Sequence, residues 1–106
     1  MKHRVRDKRT PTYDLASFRA AFSDPNNFNA TGTAVLDARA LGFLKADMVE
    51  TIQTMERKHF YKSMTSIDDS SKWQDVYHVP FRDLVLYVKF TEDRVTEFRL
   101  LSFKEK

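Results

Sequence analysis

FYKSMTSIDDSSKWQDVY, residues 60–77, is where the chain changes its period. Upstream of Phe60 the apolar residues recur at helical spacing. From Phe60 onward they alternate, the period-2 pattern of strands. The stretch reads as two strands, 60–66 and 73–79, joined by Asp68-Asp69-Ser70-Ser71, with Pro80 ending the second. It also sets Lys62, Trp73 and Gln74 into those strands, side chains suited to holding a ligand.

Downstream, 83–91 is the clearest strand. Leu84, Leu86, Val88 and Phe90 fall on one face, and Val85, Tyr87 and Lys89 on the other. Residues 94–103 return as the last strand. A two-residue loop at Glu92-Asp93 is the expected turn. It pairs Thr91 with Arg94 and Tyr87 with Phe98, and sets Lys104 on the face of Tyr87 and Lys89. A three-residue loop would slip the register and throw Lys104 to the opposite face.

Upstream, 45–58 reads as a helix with Met48, Val49, Ile52 and Met55 inward and Glu50, Gln53 and Arg57 outward. A shorter helix runs to Leu41, capped by Thr33 and stopped by Gly42, with Ala34, Ala38 and Leu41 inward. A first helix over 13–23 carries the stripe Leu15, Phe18 and Phe22, with Asp14 as N-cap, and Asp24-Pro25-Asn26-Asn27 breaks it. Helices first and strands last predict an α+β fold: N-terminal helices packed on one face of a C-terminal antiparallel sheet, one domain over 1–106. Residues 1–10 carry five Lys and Arg against Asp7 and read as a flexible basic arm, either merely solvated or phosphate-seeking.

With 106 residues, 42% of them hydrophobic, the chain can bury a core without staples. It has no Cys, which excludes disulfides, thiol catalysis and Cys-zinc sites and fits a reducing compartment. The basic N-terminus lacks an apolar h-region, and no apolar run approaches the roughly 18 residues of a span. A cytoplasmic protein with no membrane partner is therefore expected. The net charge of +3 tilts toward anionic partners only slightly.

Familiar catalytic sets are missing: there is no GxxxxGK[ST] loop and no HExxH. His3, His59 and His78 have no metal spacing, so neither a metal site nor a cofactor is expected. A carboxylate hydrolase built from Asp68, Asp69 and Asp75 stays open as a weaker reading. What stands out is a basic, aromatic, amide-bearing sheet. Lysine offsets the charge of a phosphorane-like transition state. Tyrosine and tryptophan stack on unpaired bases. Glutamine reads a base edge or holds a phosphate oxygen. Tyrosine transfers protons when neighbours tune its reference pKa of ~10. Each residue alone also suits core or solvated surface, so the residues by themselves reach a small basic α+β domain with features suited to RNA.

The segments FYKSMT (60–65), WQDVY (73–77), YVKF (87–90) and SFKEK (102–106) follow RTPTYDL (9–15) and TAVLDARALGF (33–43). Together they resemble the MqsR family of bacterial toxins, from about Lys8 to Lys106. The resemblance implies a fold similar to RelE-like and YoeB-like toxins. It implies a type II toxin–antitoxin toxin that arrests growth as a metal-independent endoribonuclease, an mRNA interferase cutting at GCU-type sites. The chemistry implied is attack of the RNA 2′-hydroxyl on the adjacent phosphate, leaving a 2′,3′-cyclic phosphate and a 5′-hydroxyl. The partner implied is an MqsA-like antitoxin, a zinc-containing, helix-turn-helix DNA-binding protein whose dimer builds a higher-order complex. Carried over by motif, Lys62, Gln74, Tyr87 and Lys104 are the expected catalytic residues. Their neighbours Tyr61, Trp73, His78 and Lys89 are expected substrate contacts. The sequence departs from the family in TEDRVTEFRLL (91–101), which is longer than usual, and in its basic head; His59 and His78 match no family role. A non-catalytic module binding RNA or antitoxin is the reading from another class.

Overall fold

A computed structural model describes residues 5–106. The elements run β1 (Asp7–Lys8), α1 (Leu15–Ala21), α2 (Gly32–Ala40), α3 (Lys45–Gln53), a 3-10 turn (Arg57–His59), β2 (Phe60–Thr65), β3 (Trp73–Phe81), β4 (Leu84–Asp93) and β5 (Glu97–Glu105). The strands form one sheet in chain order, every neighbouring pair antiparallel. The class is α+β, as expected, but a strand precedes the helices. The expected flexible arm spans residues 1–10. Residues 1–4, including His3, lie outside the described residues. Of the rest, Asp7 pairs with Met64 and Lys8 with Ser63 along the edge of β2.

The helix ends follow local chemistry. The Asp14 carboxylate accepts from Ser17 N at 3.0 Å and caps α1. The cap of α2 is Thr31 and not Thr33: its hydroxyl accepts from Ala34 N at 3.1 Å and donates to the Leu101 carbonyl at 3.1 Å. Gly42 ends this segment with φ 84, a conformation glycine adopts without a Cβ penalty. Helix α3 stops at Gln53, short of the expected Lys58. Gln53 does not point outward. Its amide donates to the carbonyls of Arg19 (2.8 Å) and Phe22 (3.0 Å), satisfying the open end of α1.

One core joins the helices to one face of the sheet. Phe18, Ala38, Met48 and Ile52 meet Tyr77, Leu86, Val88 and Phe90, all fully buried. The Phe18 and Phe90 rings stack with centroids 3.6 Å apart. Asp75 is buried on this face, and its carboxylate accepts from the backbone N–H of Thr12 (3.1 Å) and Tyr13 (2.9 Å). The Thr12 and Ser63 hydroxyls are hydrogen-bonded at 2.7 Å. These bonds fasten the segment before α1 across β2 and β3.

Three sheet details differ from expectation. Strand β3 does not end before Pro80 but runs to Phe81. The β2 pairing finishes at Phe60–Tyr77, so at Pro80 the strand has become an edge, where proline is tolerated. The turn after β4 is the three residues Arg94-Val95-Thr96, closed by the pair Asp93–Glu97, and not the two-residue loop. The Asp93 carboxylate accepts from Val95 N (3.1 Å) and Thr96 N (3.2 Å), and Glu97 takes φ 68. This is the longer hairpin geometry, with a left-handed residue after the turn. At the tip Phe90 pairs with Leu100, so Phe98 and Leu100 turn to the core. That register alone would put Lys104 on the helix side. A bulge intervenes, with Leu101 as the extra residue, and beyond it Lys89 pairs with Ser102 and Tyr87 with Lys104.

The β3–β4 turn is tight. Arg82 and Asp83 take φ 50 and 64, the pattern of a type I′ turn. Arg82 reaches back to Asp47 (2.9 Å) and Glu50 (3.0 Å) on α3 and lies over the rings of Phe43 and Phe81. Hydrogen bonding from Leu44 N and from Arg82 holds the Asp47 carboxyl below its usual range.

Candidate functional site

Strand alternation decides which side chains face away from the helices. Tyr77 and Val79 point into the core, so Gln74, Val76 and His78 point the other way. Their partners carry the pattern across the sheet. Val76 lies between Lys62 of β2 and Lys89 of β4, and Lys89 pairs with Ser102. In the next row His78 pairs with Tyr87, and Tyr87 with Lys104. Val76 is fully buried although it sits outside the helix-packed core. It is flanked on the two neighbouring strands by Lys62 and Lys89, both half-buried.

A second bulge completes the rows. Phe60 pairs with Tyr77 and Lys62 with Val76, which leaves Tyr61 as the extra residue. Consecutive residues normally face opposite ways. Here both Tyr61 and Lys62 reach the open face, as bulges beside functional sites allow. Tyr61 stacks on His78 with ring centroids 4.3 Å apart and planes at 21°. Lys62 Nζ lies 5.5 Å from the Tyr61 ring, and Lys104 Nζ lies 5.4 Å from the Tyr87 ring. The His78 and Tyr87 rings are 6.0 Å apart. The row Tyr61–His78–Tyr87–Lys104 thus crosses four strands.

The electrostatics follow from crowding on a half-covered surface. Burial, and then repulsion from Tyr61, pushes the Tyr87 phenol up, so it holds its proton. Burial pushes the Lys89 ammonium down, with Lys104 adding to the effect. Burial and the nearby Lys106 lower His78, leaving the imidazole neutral at neutral pH. Among the described residues Lys62 pairs with Asp7 of β1 at 3.9 Å.

Lys62, Gln74, Tyr87 and Lys104 therefore share one face, together with Tyr61, His78 and Lys89. They do not form one tight cluster. Gln74 stands four residues from His78 on β3, roughly 13 Å along the strand. Trp73 is on the other side. It pairs with Thr65, its ring lies under Lys8 Nζ (4.3 Å) and the Arg6 guanidinium (5.4 Å), and its carbonyl accepts from Tyr13 Oη at 2.8 Å.

The three carboxylates considered from the sequence do not converge: Asp68 adjoins Asp69 in the β2–β3 loop, and Asp75 lies apart on β3. Asp69 accepts from Ser71 N at 2.9 Å within the β2–β3 loop, and Asp75 is under the helices. His59 is engaged locally: its Nδ1 accepts from Glu56 N at 3.0 Å. Among the described residues no group of three or more His, Asp or Glu could hold a metal ion, and no helix is long and apolar enough to cross a membrane. One contact had no sequence signal: the Arg9 guanidinium stands 5.6 Å from the Tyr61 ring. The open face is a sheet surface carried by four strands. A cleft lined by Ala20, Asn27, Asn29, Val95 and Phe98 lies at the tip of the β4–β5 hairpin.

Comparison with known proteins adds two findings. Residues 10–105 match the family described as "Motility quorum-sensing regulator, toxin of MqsA". The chain is also 33% identical over 100 residues to the mRNA interferase toxin MqsR of Escherichia coli (strain K12), covering 94% of this chain and 99% of that protein.

Proposed function

The chain belongs to the MqsR toxin family, and from that premise we propose that it is the toxin of a toxin–antitoxin pair, acting as an endoribonuclease on mRNA. One observation carries this to the residues: the family's FYKSMT, WQDVY, YVKF and SFKEK segments meet on an uncovered face bearing three lysines and three aromatic rings. Single-stranded RNA presents unstacked bases and a phosphate chain, and such a platform matches both.

In this reading the RNA's own 2′-hydroxyl attacks the adjacent phosphorus. The bond to the 5′-oxygen breaks, leaving a 2′,3′-cyclic phosphate and a 5′-hydroxyl. Lys62 and Lys104 offset the charge that builds on the phosphoryl oxygens, with Lys89 beneath. Tyr87 keeps its proton and gives it to the departing 5′-oxygen. Gln74, displaced along β3, holds a neighbouring nucleotide. Tyr61 stacks on a base. Trp73, with Arg6 and Lys8 over its ring, meets RNA only where the strand rounds the β1–β2 edge. No step calls on a metal. The partner in this reading is an MqsA-like, zinc-containing, helix-turn-helix antitoxin whose dimer gathers toxins into a larger complex. GCU-type sites are the expected targets, and the helices on one sheet face with a bare basic face opposite suit a RelE- or YoeB-like relationship.

The test is cleavage of a short GCU-containing RNA in chelator, with the product ends identified. Cyclic phosphate and 5′-hydroxyl ends are expected. Lys62→Ala, Lys104→Ala and Tyr87→Phe should each slow cleavage by about 10²–10⁴-fold with little change in melting temperature. Ends bearing a 3′-hydroxyl, or full activity in all three variants, would sink the assignment. Binding without cleavage would favour a decayed, non-catalytic toxin.

A further inference from the structure

We propose that His78 is the general base that takes the proton from the attacking 2′-hydroxyl. This rests on the ribonuclease reading above and supplies the proton acceptor it lacks. His78 sits in the middle of the aromatic row, between Tyr61 of β2 and Tyr87 of β4. The Tyr61 ring covers one face of the imidazole at 4.3 Å and fixes its plane. Stacking leaves the ring edge, with both nitrogens, outside the contact. No hydrogen bond from another described residue engages either nitrogen. His59 shows the contrast, since its Nδ1 already accepts from Glu56 N at 3.0 Å. A half-buried histidine whose ring edge and nitrogens are unused, beside the proposed acid and among three lysines, is placed for proton transfer and not for holding the fold.

The charged and titratable groups around it favour the neutral ring. Tyr61 faces it from β2, Tyr87 from β4 with Lys104 beyond, and Lys106 from the C-terminal end, where its N–H bonds to the Val85 carbonyl at 2.9 Å. No carboxylate stands in this row to hold a proton on the imidazole. Burial and Lys106 both disfavour the imidazolium, so the ring is free to accept at neutral pH.

The step balances within the protein. The O2′–H bond breaks and its proton goes to a His78 ring nitrogen while the O2′–P bond forms. The P–O5′ bond breaks and O5′ takes the Tyr87 phenol proton. The imidazolium then returns its proton to the phenolate through solvent, and both groups are restored. Ring centroids 6.0 Å apart put base and acid within reach of one phosphodiester.

The experiment uses the full chain on a short GCU-containing RNA, with the 2′-O-methyl form of the same RNA as a binding probe. His78→Gln should lower kcat by about 10²-fold or more while its Kd for the 2′-O-methyl RNA stays within about threefold. The wild-type rate should fall as pH drops through a value below the ordinary histidine pKa of ~6.5, because the base becomes protonated. That limb should vanish in His78→Gln, and added imidazole should restore part of the rate to His78→Ala. Near-wild-type kcat with the acid limb retained, or a loss confined to Kd, would overturn the proposal. A wild-type protein that makes no cyclic phosphate fails the ribonuclease reading itself. Cyclic phosphate made equally well without His78 fails this inference alone.

Discussion

On the helix side of the sheet Tyr77, Val79, Leu86, Val88 and Phe90 are fully buried and pack against α1 and α3. On the other side Tyr61, His78, Tyr87 and Lys104 form a row with none of the described helices over it. The same strands supply both sets, residue by residue in alternation. The helix side is constrained by volume and by the loss of water. The open side is constrained by where charges and rings stand. Stability and activity should therefore respond to different halves of each strand, and substitutions can test how cleanly they divide.

The largest expected effect is on the covered side. Phe90 stacks on Phe18 at 3.6 Å and touches Tyr13, Tyr77 and Phe98. Phe90→Ala should cost about 3–5 kcal/mol in denaturant unfolding. A cost near that of a surface substitution would mean the core does not depend on this stack. Next comes Tyr61→Ala on the open side. The residue is 43% exposed, and removal of its ring should weaken binding of uncleavable RNA by about 1–3 kcal/mol, the worth of one base stacked on a ring. Equal losses of stability and binding would blur the distinction between the faces. The smallest effect is at the hairpin tip. Glu97 holds φ 68, and Glu97→Gly should raise stability by about 1 kcal/mol with cleavage unchanged. A loss of cleavage there would tie the tip to the site.

Much of this arrangement was legible in the chain. The alternation of Leu84, Leu86, Val88 and Phe90 fixed the core side of β4, since a half-buried strand must alternate. Tyr87 and Lys89 followed onto the open side. The caps at Asp14 and Gly42 were legible because one residue's chemistry decides each. What escaped depended on partners far along the chain. Gln53 looked like surface until the end of α1 gave its amide two carbonyls. Asp75 stood as a candidate hydrolase carboxylate until two N–H groups arrived from Thr12 and Tyr13 and gave it a structural role. Nothing local announces that Tyr61 is a bulge residue. The last strand did carry a clue: the apolar spacing from Phe98 to Leu100 is two and from Leu100 to Phe103 is three. Strict alternation cannot bury all three, so the strand had to slip once.

That slip at Leu101 has a mechanical consequence. It acts like a dislocation in a crystal, taking up a misfit so that order on one side need not match order on the other. The stretch 91–101 can lengthen or re-turn toward the hairpin tip, where Thr96 and Asn29 are hydrogen-bonded at 2.6 Å, while Tyr87 and Lys104 stay abreast. A change of turn near the tip can thereby leave the pairing of Tyr87 with Lys104, at the other end of the strand, as it is.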